Sequence, residues 1–198
     1  MTKIKMCGLR RPEDIEYANM LLPEYIGYVF AKKSRRYVAP ETAEKLTELL
    51  STEITPVGVF VDEPIENVIA LVESGAIRMA QLHGNESEEY VAELQSRSIP
   101  VIRAFKVSCE ADIDAAVNTC ADYVLLDSGS GSGETFDWSL IKNIGREFFL
   151  AGGLTADNAG EAVKAFRPYA VDASSCLETE GVKDFTKMKA FAEAIRNS

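Results

Sequence analysis

The chain holds one histidine and one tryptophan, and its four cysteines, Cys7, Cys109, Cys120 and Cys176, lie far apart. With a single imidazole and no Cys-x-x-Cys pair, a structural zinc site lacks its ligand set. Reduced thiols of a cytosolic protein are the simpler interpretation. No apolar run reaches the roughly 18 residues of a membrane span. The opening Met1-Thr-Lys-Ile-Lys also lacks the apolar core of a secretion signal, so a cytoplasmic location is expected. Basic residues are scarce, 21 against 31 acidic ones, giving a formal net charge of −10. That balance argues against a broad nucleic-acid or anionic-membrane surface, which relies on clustered Lys and Arg. A small anionic ligand stays open, because a few placed donors can bind it.

What the sequence does have is a repeated alternation. Hydrophobic residues make up 46% of the 198 positions and charged residues 26%, enough for a sizeable soluble core. Eight short apolar runs, rich in Val, Ile, Tyr and Phe, read as strands: Lys3–Cys7, Tyr25–Phe30, Thr55–Val61, Ile77–His83, Pro100–Lys106, Tyr123–Asp127, Phe148–Ala151 and Tyr169–Ala173. Amphipathic segments separate them. Pro12 opens the first in a favoured first-turn position. Asn85 with Glu88 resembles a capping pair, and Asp137, Thr155 and Asp184 are candidate caps. The last segment, Phe185–Ile195, spaces its apolar residues as one helical face. Strict alternation implies parallel strands with crossover helices. Eight units of about 25 residues each match a (β/α)8 TIM barrel with short loops. No linker or change of composition divides the chain, so residues 1–198 are expected to form a single barrel domain. An open doubly wound sheet is the other arrangement this pattern allows.

Side chains alternate across a strand. With Ile4 and Met6 packed under helices, Lys5 and Cys7 point into the barrel. In the sixth strand Val124 and Leu126 face out, while Tyr123, Leu125 and Asp127 face in. Gln81 and His83 share a face, as do Asp172 and Ser174, and Arg103 is also expected inward. Cys7, His83, Asp127 and Ser174 therefore meet at strand C-terminal tips, the face on which such barrels do chemistry.

Each candidate carries a plain reading beside the chemical one. Cys7 is a buried small residue, a nucleophile or a general base. The neighbouring Lys5 ammonium is expected to favour the thiolate, and the absence of a partner base in the local sequence suits proton abstraction better than nucleophilic attack. Asp127 either caps a turn or acts as a general acid beneath the small-residue loop Ser128–Gly133. Gly152 and Gly153 after the seventh strand, with Ser174 and Ser175 after the eighth, are ordinary turns or an amide cradle for phosphate. Arg36 belongs to a run, Lys32-Lys-Ser-Arg-Arg, that is a solvated loop or a carboxylate grip, for which a guanidinium fork is suited. His83 is a structural histidine or a catalyst.

Taken together, Lys5-Met-Cys-Gly-Leu, Ser34-Arg-Arg-Tyr-Val, Val59-Phe-Val, Gln81-Leu-His-Gly, Leu126-Asp-Ser-Gly-Ser-Gly-Ser-Gly, Thr135-Phe-Asp-Trp, Leu150-Ala-Gly-Gly-Leu and Asp172-Ala-Ser-Ser resemble the phosphoribosylanthranilate isomerase family of tryptophan biosynthesis over nearly the whole chain. The resemblance implies an Amadori rearrangement of N-(5-phosphoribosyl)anthranilate. It assigns Cys7 as general base and Asp127 as general acid. Arg36 becomes the ligand of the anthranilate carboxylate, and Gly153, Ser174 and Ser175 lie at the phosphate. Gly152, Asp172 and His83 join them as expected substrate contacts. No metal or organic cofactor is implied, because the cationic iminium is itself the electron sink. The expected partner is the phosphorylated small-molecule substrate alone, bound by a monomer or homodimer. The histidine-pathway type of phosphosugar barrel is the alternative enzyme, disfavoured because it has an aspartate where Cys7 stands. A silent binding barrel would have lost one member of the acid–base pair. Two departures from the family pattern stand out: Cys176 where the family commonly has glycine, and a shortened loop after the sixth strand.

Overall fold

A computed structural model of the chain describes residues 1–127, 137–141 and 144–198. Eight parallel strands close a barrel in sequence order: β1 (Lys3–Cys7), β2 (Tyr25–Val29), β3 (Thr55–Phe60), β4 (Met79–Leu82), β5 (Val101–Lys106), β6 (Tyr123–Asp127), β7 (Phe148–Leu150) and β8 (Ala170–Ala173). The last strand returns to the first, with Lys5 opposite Asp172. Around them lie α1 (Pro12–Leu21), α2 (Pro40–Glu48), α3 (Ile65–Glu73), α4 (Glu88–Ser96), α5 (Glu110–Asn118), α6 (Ala159–Phe166) and α7 (Phe185–Arg196). Between β6 and β7 the described residues form a single 3-10 turn, Trp138–Leu140, in place of a full helix. The small-residue loop and its shortening fall outside the described residues.

Strand parity is as expected for β1 and β6. Ile4, Met6, Val124 and Leu126 join the outer core under the helices, and Leu125 joins an inner core with Val57, Met79, Ile102 and Phe149. Arg103 is a correction. Ile102 takes the inward position, and the Arg103 guanidinium leaves the barrel for Glu88 and the Glu86 carbonyl. Ile77 also falls outside β4, because its amide bonds to the Leu71 carbonyl at 3.2 Å, closing the turn after α3 instead of extending the ladder.

Two expected caps shift for similar reasons. Ser87, not Asn85, caps α4, accepting from the Tyr90 amide at 3.3 Å. The Asn85 amide donates to Asp62, and Glu86 accepts from Asp62 and Gly84, binding this loop to the end of β3. Thr155 donates its amide to Asn158, which takes the cap position of α6. Asp184 does cap α7, and Asp137 caps the 3-10 turn.

After β8 the chain makes an unanticipated two-stranded ribbon, β9 (Glu178–Thr179) and β10 (Val182–Lys183). Glu180 and Gly181 turn between them with φ of 52° and 81°, the left-handed pair that a tight hairpin requires. Two-residue strands carry too little alternation to be read from sequence.

Candidate active site

The C-terminal ends of every strand but β5 contribute to one cavity of about 560 Å³ at the mouth of the barrel. Cys7, Arg36, His83, Asp127, Gly152, Gly153, Asp172, Ser174 and Ser175 all line it. Of the basic run in the loop after β2, Arg36 is the cation that reaches this cavity. Val29, Ala31, Val59 and Val61 make an apolar wall beside it.

The base of the cavity is an ion pair. Lys5 is fully buried and its Nζ lies 2.8 Å from Asp172 Oδ2. Burial opposes the charge on Lys5, but Asp172 outweighs it and holds the ammonium above its ordinary pKa. Asp172 Oδ1 has no hydrogen-bond partner among the described residues, and neither does Gln81 Oε1. Both residues line the cavity, so its wall holds two buried acceptors without a protein partner among the described residues.

Cys7 ends β1 above that pair. Gly27 opposite leaves room for it: a Cβ there would stand 2.6 Å from Cys7 Sγ. Lys5 favours the thiolate, as expected, but burial outweighs it. Burial pushes the thiol up, Lys5 pulls it down, and Asp172 pushes it up again, leaving the net shift upward.

His83 Nε2 lies 3.5 Å from Asp127 Oδ2, and its Nδ1 lies 3.3 Å from Gln81 Nε2. The imidazole thus stands between the tips of β4 and β6, against the carboxyl assigned to acid chemistry. On the opposite side Ser174 Oγ donates to the Cys7 carbonyl at 2.9 Å, fixing the turn after β8 to the end of β1. Gly152 and Gly153 take φ of 80° and 64° in succession, a bend that gathers backbone amides. Cys176 fits into the 3-10 turn Ser175–Leu177, where burial raises its thiol to about 11.

Arg36 is less available than the sequence suggests. Its Nε and Nη2 donate to Glu178 at 2.6 and 2.9 Å. Glu178 also receives Lys183 Nζ at 2.8 Å, and Lys183 donates in turn to the Ser174 carbonyl at 2.8 Å. Glu178 and Lys183 were not among the sequence candidates. In the one-dimensional chain they look like solvated charges, and only the ribbon turns them inward.

Barrels of this kind react their substrates at the C-terminal mouth. Here that mouth sets a thiol and a carboxyl, two groups able to exchange protons, against a fixed cationic rim. Fold and site together define a (β/α)8-barrel enzyme with its chemistry at this mouth. The profile of N-(5'phosphoribosyl)anthranilate (PRA) isomerase matches residues 4–194, and the chain belongs to that family. The N-(5'-phosphoribosyl)anthranilate isomerase of Thermoanaerobacter sp. (strain X514) is 42% identical over 203 residues, covering 99% of this chain and 98% of its own. A crystal structure of phosphoribosyl anthranilate isomerase from Thermus thermophilus superposes with a TM-score of 0.89 at 39% identity, covering 99% of each chain. Another, in complex with reduced 1-(o-carboxyphenylamino)-1-deoxyribulose 5-phosphate, superposes at 0.91 with 35% identity over 100% of both chains.

Proposed function

We propose that the mouth cavity carries out the Amadori rearrangement of N-(5-phosphoribosyl)anthranilate to 1-(2-carboxyphenylamino)-1-deoxyribulose 5-phosphate, the isomerase step of tryptophan biosynthesis, with Asp127 as general acid and Cys7 as general base. The observation that carries these assignments is that both side chains line one cavity in a chain of this family. Asp127 donates its proton to the furanose ring oxygen, and the ring opens to an iminium. Cys7, as thiolate, removes the C2′ proton; the freed electron pair forms the C1′–C2′ double bond and the iminium π pair returns to nitrogen, giving the enolamine. Tautomerisation then yields the ketone. His83 faces the Asp127 carboxyl and orients it.

Substrate recognition follows the same division of the cavity. Arg36 meets the anthranilate carboxylate, and the wall of Val29, Ala31, Val59 and Val61 takes the ring. The unpaired oxygen of Asp172 accepts from a ribose hydroxyl. Gly152, Gly153, Ser174 and Ser175 bind the phosphate through amides and hydroxyls. No metal or organic cofactor takes part in this scheme. No described helix is long and apolar enough to cross a membrane. A cytoplasmic location and a monomer or homodimer complete the proposal, the second to be decided by sedimentation.

The test is a fluorescence assay on phosphoribosylanthranilate made in situ. Wild type consumes it. Cys7→Ala and Asp127→Ala each lose about 10²–10⁴-fold in kcat while still binding the reduced product analogue. Full activity in Cys7→Ala would overturn the base assignment.

A further inference from the structure

We propose that Glu178 is a positioning residue for substrate recognition, holding Arg36 by its Nε–Nη2 edge so that the remaining edge meets the substrate carboxylate. Through Lys183 it also ties that grip to the Ser174 turn. The inference rests on the assignment of Arg36 to anthranilate made above.

A free arginine at the cavity rim would sample many rotamers, and each binding event would have to order it. Here the side chain is fixed on two sides. Glu178 takes both nitrogens of one edge, at 2.6 and 2.9 Å, in the planar fork that a carboxylate and a guanidinium share. On the other side the aliphatic stem presses on Gly8, where any Cβ would collide with Arg36 Cδ. Gly8 has a φ of 82°, so the chain leaves the tip of β1 in a conformation that keeps this space open.

Glu178 is itself held. Its side chain is 5% exposed, and Lys183, 1% exposed, approaches at 2.8 Å. Burial works against its charge, but hydrogen bonds from Arg36 and Lys183 outweigh that, so its carboxyl stays below its usual range. Half-buried Arg36 and buried Lys183 therefore share one buried carboxylate, with the exposed Arg35 also 3.8 Å from it, so the cluster carries more positive than negative charge beside the cavity. That excess suits a substrate anionic at both ends. The β9–β10 ribbon supplies both Glu178 and Lys183, which gives this short hairpin a purpose: it joins the anthranilate grip to the turn expected to bind phosphate.

The test separates the two ends of the substrate. Equilibrium titrations use anthranilate alone and inorganic phosphate alone, with steady-state kinetics alongside. Glu178→Gln keeps the shape but removes the charge. It should weaken anthranilate about tenfold and raise KM by a similar factor, with phosphate affinity and kcat changed by no more than about threefold. In an Arg36→Ala background the same substitution should add nothing, because the two residues act as one unit. Equal loss of anthranilate and phosphate, unchanged anthranilate affinity, or full additivity with Arg36→Ala overturns the proposal. Should the glutamine variant fail to fold, Glu178→Asp is read by the same criteria, since one methylene less withdraws the fork and keeps the charge. If wild type turned over no phosphoribosylanthranilate, the proposed function would fall, while the two titrations would still decide the role of Glu178.

Discussion

Lys3 and Lys5 stand two residues apart on β1 and point into the same barrel, yet they meet opposite surroundings. At the N-terminal floor, Lys3 Nζ donates to the Tyr169 hydroxyl at 2.5 Å and lies 4.2 Å from the centre of that ring. The phenols of Tyr25 and Tyr123 close on the same hydroxyl at 2.9 and 3.4 Å. At the mouth, Lys5 meets a carboxylate, and acceptors are left over. Of three buried side-chain polar atoms without a partner among the described residues, two belong to Gln81 and Asp172 at the mouth, and none belongs to the floor cluster. A buried unpaired acceptor costs stability. The floor is finished as a protein interior, while the mouth keeps groups open that a ligand would complete.

The sharpest way to break this contrast is to remove the centre of the floor. Phe149 is fully buried, with ring centroids 5.5, 5.7 and 5.6 Å from Tyr25, Tyr123 and Tyr169. Phe149→Ala should cost about 3–5 kcal/mol of stability, through lost burial and the cavity left behind. Chemical denaturation reads that loss directly. The KM and kcat of the protein that remains folded should stay close to wild type, because Asp127, Cys7 and Arg36 sit at the other end. A variant that keeps its stability but loses catalysis would mean that the floor and the mouth are not separate.

The two ends also differ in how far the sequence discloses them. Parity placed Lys5, Cys7 and Asp127 correctly because β1 and β6 are regular ladders in which every second side chain faces in. It misplaced Arg103, whose strand is packed by α4 and α5 so that the long cation exits outward to Glu88. That Cys7, Asp127 and the glycine pair would reach the mouth was legible from motifs. The network that fixes Arg36 was not, because Glu178 acts across 142 residues of chain, and Lys183 joins it through a hairpin of two-residue strands. Nor could spacing reveal that Lys5 is neutralised by Asp172, a contact made only when β8 closes on β1.

That pairing gives a prediction of intermediate size. Burial and Asp172 together hold the Cys7 proton to higher pH than an ordinary thiol, against the pull of Lys5. The neutral thiol stabilises the fold below the ordinary thiol pKa, and this contribution is lost as pH rises through the raised one. The thiolate alone is alkylated, so modification of Cys7 by iodoacetamide should speed up about tenfold per pH unit and keep climbing past the ordinary thiol value. Peptide mass spectrometry separates Cys7 from the exposed Cys109 and Cys120. A rate that levels near neutrality would show a thiolate already formed, restoring the role first expected of Lys5.

The smallest effect is expected at the floor's polar centre. Tyr169→Phe removes the hydroxyl that Lys3, Tyr25 and Tyr123 share but keeps the ring beneath the Lys3 ammonium. Lys3 and Tyr123 are half-buried at the rim of the floor and can turn to water, so the loss should be about 1 kcal/mol, the net worth of an ordinary hydrogen bond. Thermal unfolding measures it, and kinetics should not move. The equivalent deletion at the mouth, Asp172→Ala, leaves Lys5 buried without a counter-charge, a change costing about 3–5 kcal/mol. Comparing the two variants in one denaturation series gives the contrast a number. If both lose the same amount, the phenol cluster carries more of the barrel than its geometry implies, and the floor is no better satisfied than the mouth.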